Sequence, residues 1–359
     1  MLKKATALLL VCAGMGTWMG CGTTTSKFLY AAIPSANNIV IYREDPNSGV
    51  LTQLAGSPVS AGQAVEALAL HPSSKFLYAA NSFDNNVSLY TVSTTGGLTE
   101  VTPRTLTGTA PTLLAMDASG GFLYVANSGS FDISVFSINS STGALTAVSQ
   151  ANGAGTAPIG LTAMNMALSP SGNMLYVTGQ AGLGYVEAFP VSAGVLGQPV
   201  SGSPFVTGNN PFGLVIDASG SHLYTANKQD STISEFTING DGSLTALSGS
   251  PVGETFQSPV SLLIDKSGKY LYAANLGSSN VAAYTIGSDG TLTLLTNSPF
   301  ATGAQPSTLA TDSSGKYFFV GNQSSAGLES FSLDSGSGTL TSVATYTVPG
   351  SPTSIVITP

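Results

Sequence analysis

The feature that most constrains this chain is a heptapeptide that keeps returning. KFLYAAN at 75–81 is followed by GFLYVAN at 121–127, SHLYTAN at 221–227 and KYLYAAN at 269–275. Aligned on the central aromatic residue, the motif falls at Tyr30, Tyr78, Tyr124, Tyr176, Tyr224, Tyr272 and Phe319, at intervals of 48, 46, 52, 48, 48 and 47 residues. Seven copies at a period in the forties restrict the fold to an array of similar units, each dependent on its neighbours to bury its apolar faces.

Each unit reads in one order. In the sixth, KYLYAAN (269–275), NVAAYTI (280–286) and GTLTLLT (290–296) precede PSTLATD (306–312), and Gly, Asn, Ser and Pro clusters separate them. These are four short strands rich in β-branched and aromatic residues, and no segment carries a helical period. Four strands per unit at this spacing predict an all-β chain: a seven-bladed β-propeller of four-stranded antiparallel blades. Both faces of a blade are then buried, which accounts for nearly continuous apolar runs and for small residues such as Ala79, Ala80, Ala273 and Ala274 where blades approach. The chain begins its first unit with FLY (28–30) but lacks a Pro-type strand before it, and ends on SPTSIVIT (351–358), a lone strand of that type. Pairing of 352–358 with 27–32 therefore closes the ring and removes an open edge.

Residues 1–20 read differently. Lys3 and Lys4 precede the apolar run ATALLLVCAGMG, which is too short to span a bilayer and suits an export signal. WMGC (18–21) resembles a bacterial lipoprotein box, which implies lipidation of Cys21, a tether at 21–26 and a propeller at 27–359. Gly22 after the cysteine implies, by the same resemblance, the outer membrane of the cell envelope. Cleavage removes Cys12, so no internal disulfide supports the domain. It also removes Lys3 and Lys4, leaving eight of the 10 basic residues against 18 acidic ones. A net charge of −10 excludes a phosphate-binding face and with it nucleic acid as a partner. The expected protein is a monomer whose contact with the membrane is the lipid on Cys21.

Repeated polar motifs read first as architecture. The asparagines that end the heptapeptide, Asn81, Asn127, Asn227, Asn275 and Asn322, suit Asx-type bonds to loop backbone. DASG (117–120, 217–220), DKSG (265–268) and DSSG (312–315) suit tight turns. NGDGS (239–243) and GSDGT (287–291) lack the alternating carboxylates of a calcium loop, and two histidines supply no metal shell, so neither metal nor cofactor is expected.

The unit Pro…Asp-x-Ser-Gly-(Lys)-x-Leu-Tyr-x-Ala-Asn, repeated through 27–359, resembles the lactonase family of seven-bladed propellers, which includes 6-phosphogluconolactonase-type enzymes and muconate cycloisomerases. YVAN (124–127) and YVTG (176–179) also resemble the tyrosine-valine-threonine-asparagine repeat of secreted bacterial propellers. The resemblance implies a site at the mouth of the central channel built from histidine, arginine and glutamate. Here the alignment sends His71 and His222 to the opposite face, Arg43 to a third-strand end and Arg104 to an outer strand. Glu66 instead follows the strand-opening residue, where the sister units have Thr112, Phe212, Val260, Ser307 and Thr353, and is the candidate general base. Gln63, Asn165, Asn209, Asn210, Lys228, Glu254, Gln257 and Gln305 are candidate ligand contacts in mouth-facing loops, the longest being 151–165. The expected function is an envelope-anchored module that binds a glycan, peptide or protein at the mouth without the family's catalytic residues. The alternative is hydrolysis of sugar-type lactones, and fold alone does not decide between them.

Overall fold

The computed structural model describes residues 26–160, 162–181, 183–253, 256–324 and 327–359. The signal segment, Cys21 and Glu254 lie outside them. Alternating turns and short β-branched runs produce antiparallel sheets almost exclusively; one 3-10 turn at Pro34–Ala36 is the exception among the described residues.

Blade 2 shows the pattern: Val65–Leu70 is innermost, followed outward by Phe76–Asn81, Asn86–Val92 and Leu98–Leu106. The innermost strands of blades 3 to 7 are Pro111–Met116, Ala163–Leu168, Pro211–Ile216, Pro259–Ile264 and Pro306–Thr311. Blade 1 is composite. Its outer strands are Lys27–Ile33, Asn38–Glu44 and Leu51–Gln53, and its innermost is Ser354–Ile357 from the other end of the chain. Every innermost strand contacts those of both neighbours, so the ring closes at seven.

The closing strand pairs Leu29 with Ile357 and Ala32 with Ser354. At its ends the Thr353 N–H donates to Ala32 O (3.2 Å) and the Thr358 N–H to Phe28 O (2.9 Å). The sequence reading of four strands per blade is incomplete in one respect. In five blades a two- or three-residue segment, such as Phe205–Val206 or Val252–Gly253, adds a short fifth pairing to the third strand.

Seven apolar clusters form among the described residues, one at each blade–blade interface. The heptapeptide supplies the centre of each and also a polar staple. The hydroxyls of Tyr30, Tyr78, Tyr176, Tyr224 and Tyr272 donate to the carbonyls of Gly96, Gly143, Gly242, Gly290 and Gly338 on the next blade, at 2.7–3.0 Å. Each acceptor is a hairpin glycine with positive φ. A Cβ at Gly143 would lie 2.6 Å from the Phe76 ring, so this turn must be glycine on both counts. A buried phenol without such a partner would cost roughly 1–3 kcal/mol.

Asn81 bonds loop backbone as expected, its Oδ1 accepting from Gly62 N (3.1 Å), whereas Asn127 and Asn227 bond side chains instead. Asn127 Nδ2 donates to Asp132 Oδ1 (2.7 Å) and Ser134 Oγ (2.9 Å), and Asn227 Nδ2 to Thr232 Oγ1 (2.9 Å) and Ser234 Oγ (2.8 Å). They bind side chains five and seven residues on, across the hairpin to the third strand. The third-strand side chain in turn accepts a backbone N–H from the loop that enters the blade, as Ser134 does from Gly108 (3.2 Å). The Asp turns are as expected: Asp265 Oδ1 accepts from Tyr270 N (2.8 Å) and Asp312 Oδ1 from Tyr317 N (2.9 Å).

Candidate functional site at the channel mouth

Six innermost strands share an irregularity at their first turn of pairing. In blade 2, Val65 pairs with Asn81 and Ala67 with Ala80, so Glu66 has no partner across the ladder. Thr112, Met164, Phe212, Val260 and Ser307 are skipped in the same way in blades 3 to 7. A bulge bends the strand and re-aims the extra side chain. Repeated around the ring, it directs five of these six side chains toward the same opening, while Val260 is buried.

Glu66, Thr112, Met164, Phe212 and Ser307 line a cavity of about 390 Å³ at the mouth, together with Thr353 of the closing segment and with Ser128 and Gln323, each the residue after a heptapeptide. Carbonyls at the starts of the innermost strands are bonded by side chains of neighbouring blades. Thr353 Oγ1 donates to Glu66 O (2.7 Å), Ser307 Oγ to Pro352 O (3.2 Å), and Asn165 Nδ2 to Phe212 O (3.1 Å). The rim is thereby held without spending the Glu66 carboxylate, which no described residue hydrogen-bonds. Burial alone pushes its carboxyl above the ordinary glutamate range. Lys228 stands beside the opening with Nζ 5.1 Å from the centre of the Phe212 ring, a cation–π contact.

The other candidate residues fall into two groups. Asn165 and Lys228 touch the ring through Phe212. Gln63, Asn209, Asn210, Gln257 and Gln305 are not among the cavity's walls; they shape the loops entering each blade. Asn209 bonds Asp230 through N (2.7 Å) and Nδ2 (3.0 Å), Gln63 N donates to Asp84 Oδ2 (2.9 Å), and Gln257 N to Ser278 Oγ (2.7 Å). Asn210 and Gln305 occupy the left-handed region with φ of 57° and 61°, and their carbonyls accept from Lys228 and Gln323. Ser128 and Gln323 were not singled out from sequence. Their signal is positional, since each directly follows a heptapeptide asparagine.

His71 and His222 lie at the opposite end of the ring. His71 Nε2 contacts Gly120 O (3.1 Å), and His222 Nδ1 pairs with Asp217 Oδ2 (2.9 Å). Arg104 is held by Glu100 (2.7 Å) and Asp84 (3.1 Å) on the outer strand, and Arg43 is exposed. Among the described residues, no group of three His, Cys, Asp or Glu side chains could hold a metal ion.

Seven closed blades around a channel define a seven-bladed β-propeller. The family described as lactonase, 7-bladed beta-propeller, matches residues 56–159 and 252–357, and the chain belongs to that family. No curated protein sequence matches the chain. Among solved structures it is similar to a 6-phosphogluconolactonase candidate from Bacteroides fragilis (20% identity, TM-score 0.78, covering 94% of this chain and 99% of that one). It is also similar to the periplasmic gluconolactonase of Pseudomonas aeruginosa (19% identity, TM-score 0.77, 93% and 99%). A protein of unknown function from Desulfotomaculum acetoxidans shares the fold as well (17% identity, TM-score 0.72, 92% and 98%).

Proposed function

We propose that the channel mouth binds a small, neutral, hydroxyl-rich molecule such as a sugar or sugar lactone, and that the protein retains such a ligand without turning it over at an enzymatic rate. The observation that carries this reading is the lining. One unpaired carboxylate, several hydroxyls and an amide offer hydrogen bonds to polyol hydroxyls, while Phe212, Met164 and Leu113 give apolar area against a ring face. The cavity's size suits a monosaccharide. Among the described residues, no histidine or arginine stands in the lining to stabilise an oxyanion, a loss that costs enzymes several kcal/mol of barrier lowering.

One observation favours the alternative of lactone hydrolysis. Glu66 is unpaired and raised by burial, as a general base for water would be, and Lys228 supplies a cation beside the mouth. The P. aeruginosa relative is described as a gluconolactonase, which makes glucono-1,5-lactone the natural probe. Lactone binding and turnover measured on the wild type and Glu66→Gln separate the two. Binding weakened about tenfold in the variant, with no turnover above solvent in either protein, is expected. Brisk hydrolysis that falls about a hundredfold or more in Glu66→Gln would replace the binding reading with the catalytic one.

The proposed setting is the bacterial cell envelope, with Cys21 lipidated and the outer membrane as its site. The signal-like segment and the GC pair support it, and the periplasmic location stated for the P. aeruginosa relative agrees. Cys21→Ser is expected to move the protein from the membrane fraction to the soluble one; a variant that stays with the membranes would refute the anchor.

A further inference from the structure

Blade 4 departs from its sisters where loop and third strand are joined. The asparagine ending the second strand is replaced by Gly179, and the position of Ser134 and Ser234 is taken by Glu187. In blades 3, 5 and 7 that position accepts the N–H of the entering glycine: Gly108 to Ser134 (3.2 Å), Gly208 to Ser234 (3.3 Å) and Gly303 to Glu329 (2.8 Å). Glu187 accepts from no described residue. The corresponding glycine, Gly160, has open space around it, whereas Gly208 packs against the Asn227 side chain. Pro190 then removes a ladder donor from the third strand, and the outer strand shrinks to Val195–Leu196.

The parted loop and strand leave a second cavity, of about 290 Å³, on the flank of the ring between blades 3 and 4. Ile159, Phe189, Leu196 and Pro158 form apolar walls, and among the described residues Glu187 is the only charged one lining it. The Gln150 amide is already committed, Nε2 to Val148 O and Gly194 O (both 3.2 Å) and Oε1 to Leu196 N (3.0 Å). An anion without a counter-ion against such walls is costly, and burial accordingly raises the Glu187 carboxyl. A ligand that brings its own positive charge removes that cost.

We propose that this flank cavity binds an organic ammonium ion, its charge on Glu187 and its hydrocarbon part against Ile159, Phe189 and Leu196. A bare metal ion fits poorly, because one carboxylate is far from the six to eight oxygens that calcium takes. The site is separate from the channel mouth: Glu187 lies on a third strand, Glu66 on an innermost one.

Saturation-transfer difference NMR on the full-length protein with butylammonium chloride tests this, with n-butanol as the uncharged counterpart at matched ionic strength. Butylammonium is expected to bind, more tightly than butanol. Glu187→Gln should weaken it by about tenfold or more, and Glu66→Gln should leave it unchanged. Ala151→Trp, at an exposed position on the cavity's edge, should also block binding and serves if Glu187→Gln fails to fold. No saturation transfer, equal transfer in wild type and both flank variants, or loss only in Glu66→Gln would overturn the proposal.

Discussion

Glu44 shows what a buried carboxylate costs this fold. It is 1% exposed and faces Lys27 across the first hairpin, yet Lys27 forms its buried ion pair with Asp312 on blade 7. Desolvation, followed by the repulsion of Asp312, pushes the Glu44 carboxyl up to about 7, and the attraction of Lys27 only partly offsets this. An acid raised in the folded state holds its proton there while the unfolded chain has already released it, so stability falls as pH rises from the ordinary glutamate range through about 7. Glu44→Gln should therefore melt increasingly above the wild type between about pH 5 and 8, by an amount on the order of 2–3 kcal/mol at the upper end. A difference in melting temperature that does not change with pH would contradict the assignment. Nothing in the motif VIYRED announces this position, because the cost comes first from desolvation in the folded ring and then from Asp312, 268 residues away in sequence.

At the scale of the element, the closing strand carries more than its length suggests. Ser354–Ile357 is four residues long, but it is the inner strand of blade 1 and places Ile355 in the cluster between blades 7 and 1. Deleting 350–359 exposes the edge of Lys27–Ile33, opens Glu66 to solvent at the Thr353 contact, and breaks the sheet that joins Lys27–Ile33 to Ser354–Ile357. The truncated protein should lose its cooperative thermal transition; an unchanged melting curve would show that the ring does not need the innermost strand of blade 1. Closure could be read from sequence because the missing strand at one end and the surplus strand at the other are of the same type. The six bulges could not. Each is a one-residue slip in pairing, and pairing register leaves no mark in a stretch such as PTLLAM or PFGLVI, where both strand faces are apolar. In sequence, blade 4 shows only the 52-residue interval and the YVTG ending, while its Gly179, Glu187 and Pro190 acquire meaning once the hydrogen bonds of the sister blades are known.

The whole ring has two unlike ends. Bulged strand starts, Glu66 and Lys228 stand at one; His71, the Asp117 and Asp312 turns and the first residues of the first strand stand at the other, where Lys27 meets Asp312. If Cys21 carries the lipid proposed above, the six residues 21–26 reach at most about 20 Å when fully extended. The propeller would then rest histidine end down on the bilayer with its opening turned to the aqueous compartment. A polar solute could then arrive at the mouth by free diffusion, whereas a molecule dissolved among lipid tails would meet the end that carries His71.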